Sequence, residues 1–210
     1  MSIFTRNGTI EDFVKQRPVS SALIILNSLA LIYTMISGGF DVYNLRDLGG
    51  IFPVWVIERG EYYRIFTAAF LHGSIIHFLS NMIIGVSFMG AALEKAIGSL
   101  KFFIIYFVAV IGSGILVVFL SEPNVITIGA SGGVFGVLGA LLYISINRTD
   151  LISEQDKKTI WTFVAIQIFF TFVNNSNISI PGHAGGLIAG FLISLLLLGR
   201  RKEESQDIYY

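Results

Sequence analysis

Gly129-Ala130-Ser131-Gly132-Gly133-Val134-Phe135-Gly136 opens a short apolar run. A serine set among glycines at a helix start admits two readings. One is a helix cap beside a tight packing surface, since small residues let helix backbones approach in lipid. The other is a nucleophile with room for a substrate to reach its backbone. The rest of the chain bears on the choice.

The chain has 210 residues, 54% of them hydrophobic and 13% charged. Its mean hydropathy is +0.74. Soluble domains carry about a quarter charged residues, so this composition belongs to a polytopic membrane protein. With no net formal charge, the total says nothing about partners. The absence of cysteine excludes disulfides, thiolate metal sites and a cysteine nucleophile. Six apolar runs cover residues 20–37, 75–93, 102–120, 131–146, 160–173 and 183–198. Several fall short of the roughly 20 residues of a full span. The expected fold is all-α, a six-transmembrane-helix bundle over residues 20–199. Residues 1–19 form a cytoplasmic N-terminal segment and 200–210 a cytoplasmic tail. The N-terminal segment reads as a short surface helix near Ile10–Val14 or a disordered lead-in. The first run lacks a convincing cleavage site and reads as a retained membrane helix.

The connection 38–74 is long and holds Trp55, Tyr62, Tyr63 and Phe66, which suit the membrane interface. Lys and Arg set the orientation. With a cytoplasmic N-terminus, the inside segments hold Arg6, Lys15, Arg17, Lys95, Lys101, Arg148, Lys157, Lys158, Arg200, Arg201 and Lys202, eleven in all. The outside segments hold three, Arg46, Arg59 and Arg64. Both termini are therefore expected to be cytoplasmic in a multi-pass cell-membrane protein, and Ser131 starts its helix from the outer side.

Ionisable groups inside a membrane are expensive and are functional candidates by default. Ser131 lies 17 residues before Arg148, His183 lies 17 before Arg200, and His77 lies 17 before Glu94. At 1.5 Å per residue each sits about 25 Å from its inner anchor, in a hydrocarbon core about 30 Å thick. Three helices thus place a polar reactive group at one depth. Asn81 follows His77 by four residues and shares its helix face. His72, five before His77, is about 140° round and is expected to belong to the interfacial loop. Gly182, Gly186 and Gly190 form a small-residue stripe on the last helix. Gly129, Gly133, Gly136 and Ala140 form one on the fourth. If the two face each other, Ser131 and His183 come within reach.

A serine hydroxyl is a weak nucleophile until a base takes its proton, and His183 is placed to be that base. The outside acids Asp41, Asp47, Glu58, Glu61 and Glu122 all lie in loops. A Ser–His dyad is expected rather than a triad. His77 and Asn81 carry N–H donors that, with the Ser131 backbone N–H, could hold an oxyanion.

The segments His77-Phe-Leu-Ser-Asn81, Gly129-Ala-Ser131-Gly and Gly182-His183-Ala-Gly-Gly186-Leu-Ile-Ala-Gly190 together resemble the rhomboid intramembrane serine proteases of the basic six-helix kind. The resemblance covers about residues 62–198 in order and spacing. It implies Ser131 as nucleophile, His183 as base, and His77 with Asn81 as oxyanion donors. It implies no cofactor or metal, and cleavage of peptide bonds in or beside transmembrane segments of membrane-protein substrates. Membrane lipid is the other partner, and nucleic acid is not one. Glu94 and Gly98 resemble the pair that closes the family's second helix. Tyr63-Arg64 resembles its Trp-Arg pair, with Tyr for Trp, which touches loop anchoring rather than catalysis. Phe135 stands where some members have Tyr. A gate is implied near the fifth helix and the 174–181 loop.

Other classes fit less well. A catalytically silent rhomboid-like protein binding membrane clients would usually lack Ser131 or His183. A small transporter would favour repeats, broken paired helices or acids within the spans. A three-histidine metal site lacks the His-Glu-x-x-His pattern. An α/β-hydrolase elbow at Gly129-x-Ser131-x-Gly133 needs a strand before it, and the preceding segment is too short to argue one.

Overall fold

The computed structural model describes residues 2–5, 8–173 and 178–200. Residues 201–210 of the expected tail, and 174–177 of the expected cap near the gate, lie outside the described residues. Among the described residues six long helices carry the fold, and they follow the six apolar runs. They are α1 (Pro18–Ser37), α2 (Ile75–Ile97), α3 (Ser99–Leu120), α4 (Ser131–Asn147), α5 (Glu154–Val173) and α6 (Ile180–Leu198). Helices α1, α2, α3 and α6 are each long and apolar enough to cross a membrane. The apolar α4 is shorter. Helix α5 begins with charged residues, Glu154 and Asp156 in its first turn. The chain is thus an all-α, polytopic membrane protein. Among the described residues the only β pairing is an isolated bridge between Ile51 and Thr127, which leaves the hydrolase elbow without its strand.

Helix α4 is the centre. Thirteen of its seventeen residues are buried, as expected of a helix apolar on every side. Lipid tails are as apolar as leucine, so van der Waals fit rather than water exclusion holds such helices together. The fit here is backbone to backbone. A methyl group at Gly186 would strike the Gly132 carbonyl, and one at Gly190 the Gly136 carbonyl. The two pairs are both four residues apart, so α4 and α6 run parallel in register. Gly186 and Gly190 of the expected α6 stripe face α4, but the α4 face that meets them carries Gly132 and Gly136, while Gly129 and Gly133 of the expected α4 stripe turn to His77 and Tyr106. On another side Gly136 lies against Ala109 and Gly133 against the Tyr106 ring of α3. On a third, Gly85 of α2 accommodates Val134.

The turns are built by local chemistry. Helix α2 ends at Gly98, whose φ of +83° suits glycine alone. The middle of α2, Ser80–Gly90, is wound as π-helix. Glu94 is 2% exposed. Its carboxylate accepts from the Val19 and Ser20 N–H groups at 3.0 and 2.9 Å and from the Ser20 hydroxyl at 2.7 Å. It therefore caps the first turn of α1 from a different helix. Each N–H stranded by its loss would cost about 1–3 kcal/mol.

The N-terminal segment is docked rather than loose at its start. Ser2 donates its hydroxyl to Asp156 of α5, and the Ile3 N–H reaches the same carboxylate at 3.3 Å. Lys95 of α2 donates to the Ser2 carbonyl at 3.0 Å. Phe4 stacks on Phe88 at 4.9 Å, and Phe88 meets Phe163 of α5 at 5.3 Å. The expected surface helix forms as Ile10–Gln16, capped by Thr9 and Asp12.

Gly186→Val should push α6 off the Gly132 carbonyl. Backbone cannot yield as a side chain does, so a loss at or above the usual overpacking cost of about 1–3 kcal/mol is expected. Thermal unfolding in lipid nanodiscs measures it, and an unchanged midpoint would contradict the contact.

Candidate active site

Ser131 is the first residue of α4, and the capping position before it is Ala130. The capping reading of Ser131 therefore fails. Ala130 has no side-chain acceptor, and no side chain caps this helix start. The N–H groups of its first turn lack intrahelical acceptors, and the helix dipole makes that end attractive to negative charge.

Gly129 shows what converges there. Its φ is +124°, and a Cβ on it would stand 2.8 Å from both Nε2 and Cε1 of His77 and 3.7 Å from Ser131 Oγ. Both the backbone angle and the space require glycine. The His77 ring tip and the Ser131 hydroxyl thus border one small volume. The Gly129 N–H donates to the Ala68 carbonyl at 2.9 Å, which joins the approach to Ser131 to the long first loop.

His77 lies in the first turns of α2, and Ser74 caps that helix by accepting the His77 N–H at 3.1 Å. Asn81 is buried, and its side-chain amide donates to the His77 carbonyl at 3.2 Å. An amide has two N–H donors, so this bond uses one of them.

His183 sits near the start of α6, where Pro181 lies in the first turn and Ser179 caps the helix by accepting the Gly182 N–H at 3.1 Å. Its ring stacks on Phe135 with centroids 3.8 Å apart and planes 16° apart. Phe135 is one turn beyond Ser131 on the same face of α4. Phe stacking therefore brings the His183 ring to the face that carries Ser131. Among the described residues, no hydrogen bond yet joins Ser131 Oγ to His183. Such bonds commonly tighten only when substrate binds. Thr171 Oγ1 of α5 lies 3.2 Å from His183 Nδ1.

His72 lies in the connection before α2, as expected. It is 0% exposed, with its ring 5.0 Å from that of His77 at 71° and 5.4 Å from Phe78 at 87°. It packs against the His77 ring from within that connection. The helix starts at Ile75, where the apolar run begins, so helical phasing does not reach His72, and the turn before the helix folds the ring inward.

The first loop is anchored by Arg64, 2% exposed. Its guanidinium donates to the Arg46 carbonyl, to the Gly50 carbonyl at 2.9 Å and to Glu61 at 2.6 Å. It also lies 4.8 Å from the Trp55 ring and 5.4 Å from that of Tyr63. Tyr in place of Trp at residue 63 therefore leaves the arginine anchor in place. The Arg64 hydrogen bond holds the Glu61 carboxyl below its ordinary range.

Comparison with known proteins fits this architecture. A family model described as the Rhomboid domain matches residues 59–200. The chain belongs to the rhomboid family. YdcA of Bacillus subtilis (strain 168) is 29% identical over 204 residues, which cover 95% of this chain and 98% of that protein. Rhomboid protease GluP of the same organism is 33% identical over 187 residues, covering 88% of this chain and 36% of GluP. RHOMBOID-like protein 4 of Arabidopsis thaliana is 35% identical over 162 residues, covering 74% of this chain and 39% of the relative. The chain thus spans nearly all of YdcA but well under half of the other two. Membership in the rhomboid family supports intramembrane protease activity in general terms. The matched region contains Ser131, His183, His77 and Asn81 and begins within the first loop. Two neighbours escaped sequence reasoning. Thr171 lies on the weakest apolar run, and no spacing rule ties it to His183. His72 carried a signal, as one of three histidines, but helical phasing pointed it away.

Because the folded Glu61 pKa is depressed, its pairing contributes stability above the unfolded carboxylate pKa. That contribution is lost as pH falls through the lower folded value. Acid titration of the unfolding midpoint should show this loss in the wild type and a flatter profile in Glu61→Gln. Identical profiles would remove the pair from the loop's stability.

Proposed function

We propose that this rhomboid is an intramembrane serine endopeptidase of the cell membrane, multi-pass with both termini cytoplasmic. It hydrolyses peptide bonds in or beside transmembrane segments of membrane-protein substrates with a Ser131–His183 dyad. The observation that carries the reading is the stack of His183 on Phe135, one turn from Ser131. The glycine-to-carbonyl seam between α4 and α6 supports it.

In this mechanism His183 Nε2 takes the proton of Ser131 Oγ as the oxygen attacks the scissile carbonyl carbon. The carbonyl π electrons move to oxygen. The Ser131 backbone N–H, His77 and Asn81 stabilise that oxyanion. The intermediate collapses, the C–N bond breaks, and His183 returns the proton to the leaving amine. Water then attacks the acyl-serine with His183 as base again, releasing the carboxylate product and Ser131. Substrate must unwind locally, because helical peptide bonds are shielded by their own hydrogen bonds. Helix-breaking residues near the outer face assist. Lateral entry is placed beside α5 and the 174–181 loop, as the family resemblance implies.

Labelling by a fluorophosphonate in nanodiscs tests the dyad. Wild type should label, and Ser131→Ala and His183→Ala should not while remaining folded. Turnover of a transmembrane substrate should vanish in both variants. Retained turnover in Ser131→Ala would overturn the nucleophile, and retained turnover in His183→Ala would overturn the base. A folded wild type that neither labels nor cleaves would favour client binding without catalysis. Asn81→Ala should lower kcat by about tenfold to a few hundredfold, as for loss of one oxyanion donor among several. A change confined to KM would move Asn81 out of that role.

A further inference from the structure

We propose that Thr171 is a positioning residue that sets the tautomer of His183. The inference rests on reading His183 as the base. Thr171 is 7% exposed, and its hydroxyl has two close neighbours. It donates to the Gln167 carbonyl at 2.8 Å, the back-bond that threonine makes within a helix. It also lies 3.2 Å from His183 Nδ1. A hydroxyl has one proton to give and two lone pairs to offer. Since the proton goes to Gln167, the oxygen meets Nδ1 as an acceptor, and Nδ1 carries the ring hydrogen.

The consequence reaches the other side of the ring. A neutral imidazole holds one proton. With Nδ1 protonated, Nε2 presents a lone pair, which is the form that can accept the Ser131 proton. Had Thr171 donated to Nδ1 instead, Nε2 would carry hydrogen and could not act as base. Wrong-tautomer histidines of serine hydrolases lose most of their rate. The usual orienting group is a carboxylate; here a neutral hydroxyl, itself fixed by a backbone carbonyl, takes that place. Such a partner orients the ring while avoiding the cost of an intramembrane charge. The hold has two points. Phe135 of α4 fixes the plane of the ring, and Thr171 of α5 fixes the rotation within that plane. Because Thr171 and His183 lie on different helices, the tautomer depends on α5 remaining against α6.

The test uses the full chain in nanodiscs with ¹⁵N-labelled histidine. The chain holds three histidines, so three ring systems are observed and single-histidine substitutions assign them. In the wild type His183 should be the Nδ1–H tautomer, and an Nε2–H tautomer would overturn the proposal whatever any variant does. Thr171→Val keeps the shape and removes the hydroxyl. It should shift His183 toward the Nε2–H form and lower kcat on a transmembrane substrate by about tenfold to a hundredfold, with KM unchanged. Thr171→Ser should restore most of both. Unchanged tautomer and kcat in Thr171→Val would overturn the role, as would a loss of activity that Thr171→Ser fails to rescue. Failure here is distinct from failure of the protease reading. If labelling depends on Ser131 and His183 yet ignores Thr171, only the positioning role falls. If wild type does not label, or labels in His183→Ala, the dyad falls first.

Discussion

The structure depends on backbone contact between α4 and its neighbours. Where Gly186 and Gly190 meet the carbonyls of Gly132 and Gly136, the parallel helices approach as closely as their main chains allow. In lipid this contact cannot be replaced by generic greasiness, because lipid solvates a leucine as well as a neighbouring helix does. The fit must therefore be steric and exact in register, since a shift of one residue would put a side chain against a carbonyl. That same register holds the start of α4 beside the start of α6. Ser131 and His183 owe their proximity to it, and a loop-borne pair could not be held so rigidly.

Charged groups are confined to the ends of the bundle, where each closes a joint. Glu94 caps α1 from α2, Asp156 receives the first residues of the chain, and Arg64 gathers the first loop. The loop in turn holds Gly129 through the Ala68 carbonyl. Support for Ser131 thus comes from two directions: packed helices below and a hydrogen-bonded loop above. The site between them contains neutral or weakly basic groups, in keeping with the cost of charge within a bilayer.

Much of this was legible in the chain. The six apolar runs become six helices in the expected order, because membrane spans are declared by local composition alone. The equal spacing of Ser131, His183 and His77 from Arg148, Arg200 and Glu94 is a reading of depth, since rise per residue converts sequence distance into height along a helix. The stripes of glycine foretold a close helix pair. Helix ends were less legible. Helix α2 starts at Ile75, but His72 lies before it, where helical phasing gives no direction, and its ring packs against His77. The cap of α4 proved to be Ala130, which leaves Ser131 free of that duty.

The sequence by itself determined the all-α membrane class and the order of the helices. These follow from interactions local in the chain. Only the tertiary structure decided which faces meet: Phe135 against His183, Thr171 beside its Nδ1, Glu94 on the first turn of α1, and the opening residues on Asp156. The rotation of one helix about its axis against another is set by steric fit among residues distant in sequence. No periodicity within a single helix encodes that rotation.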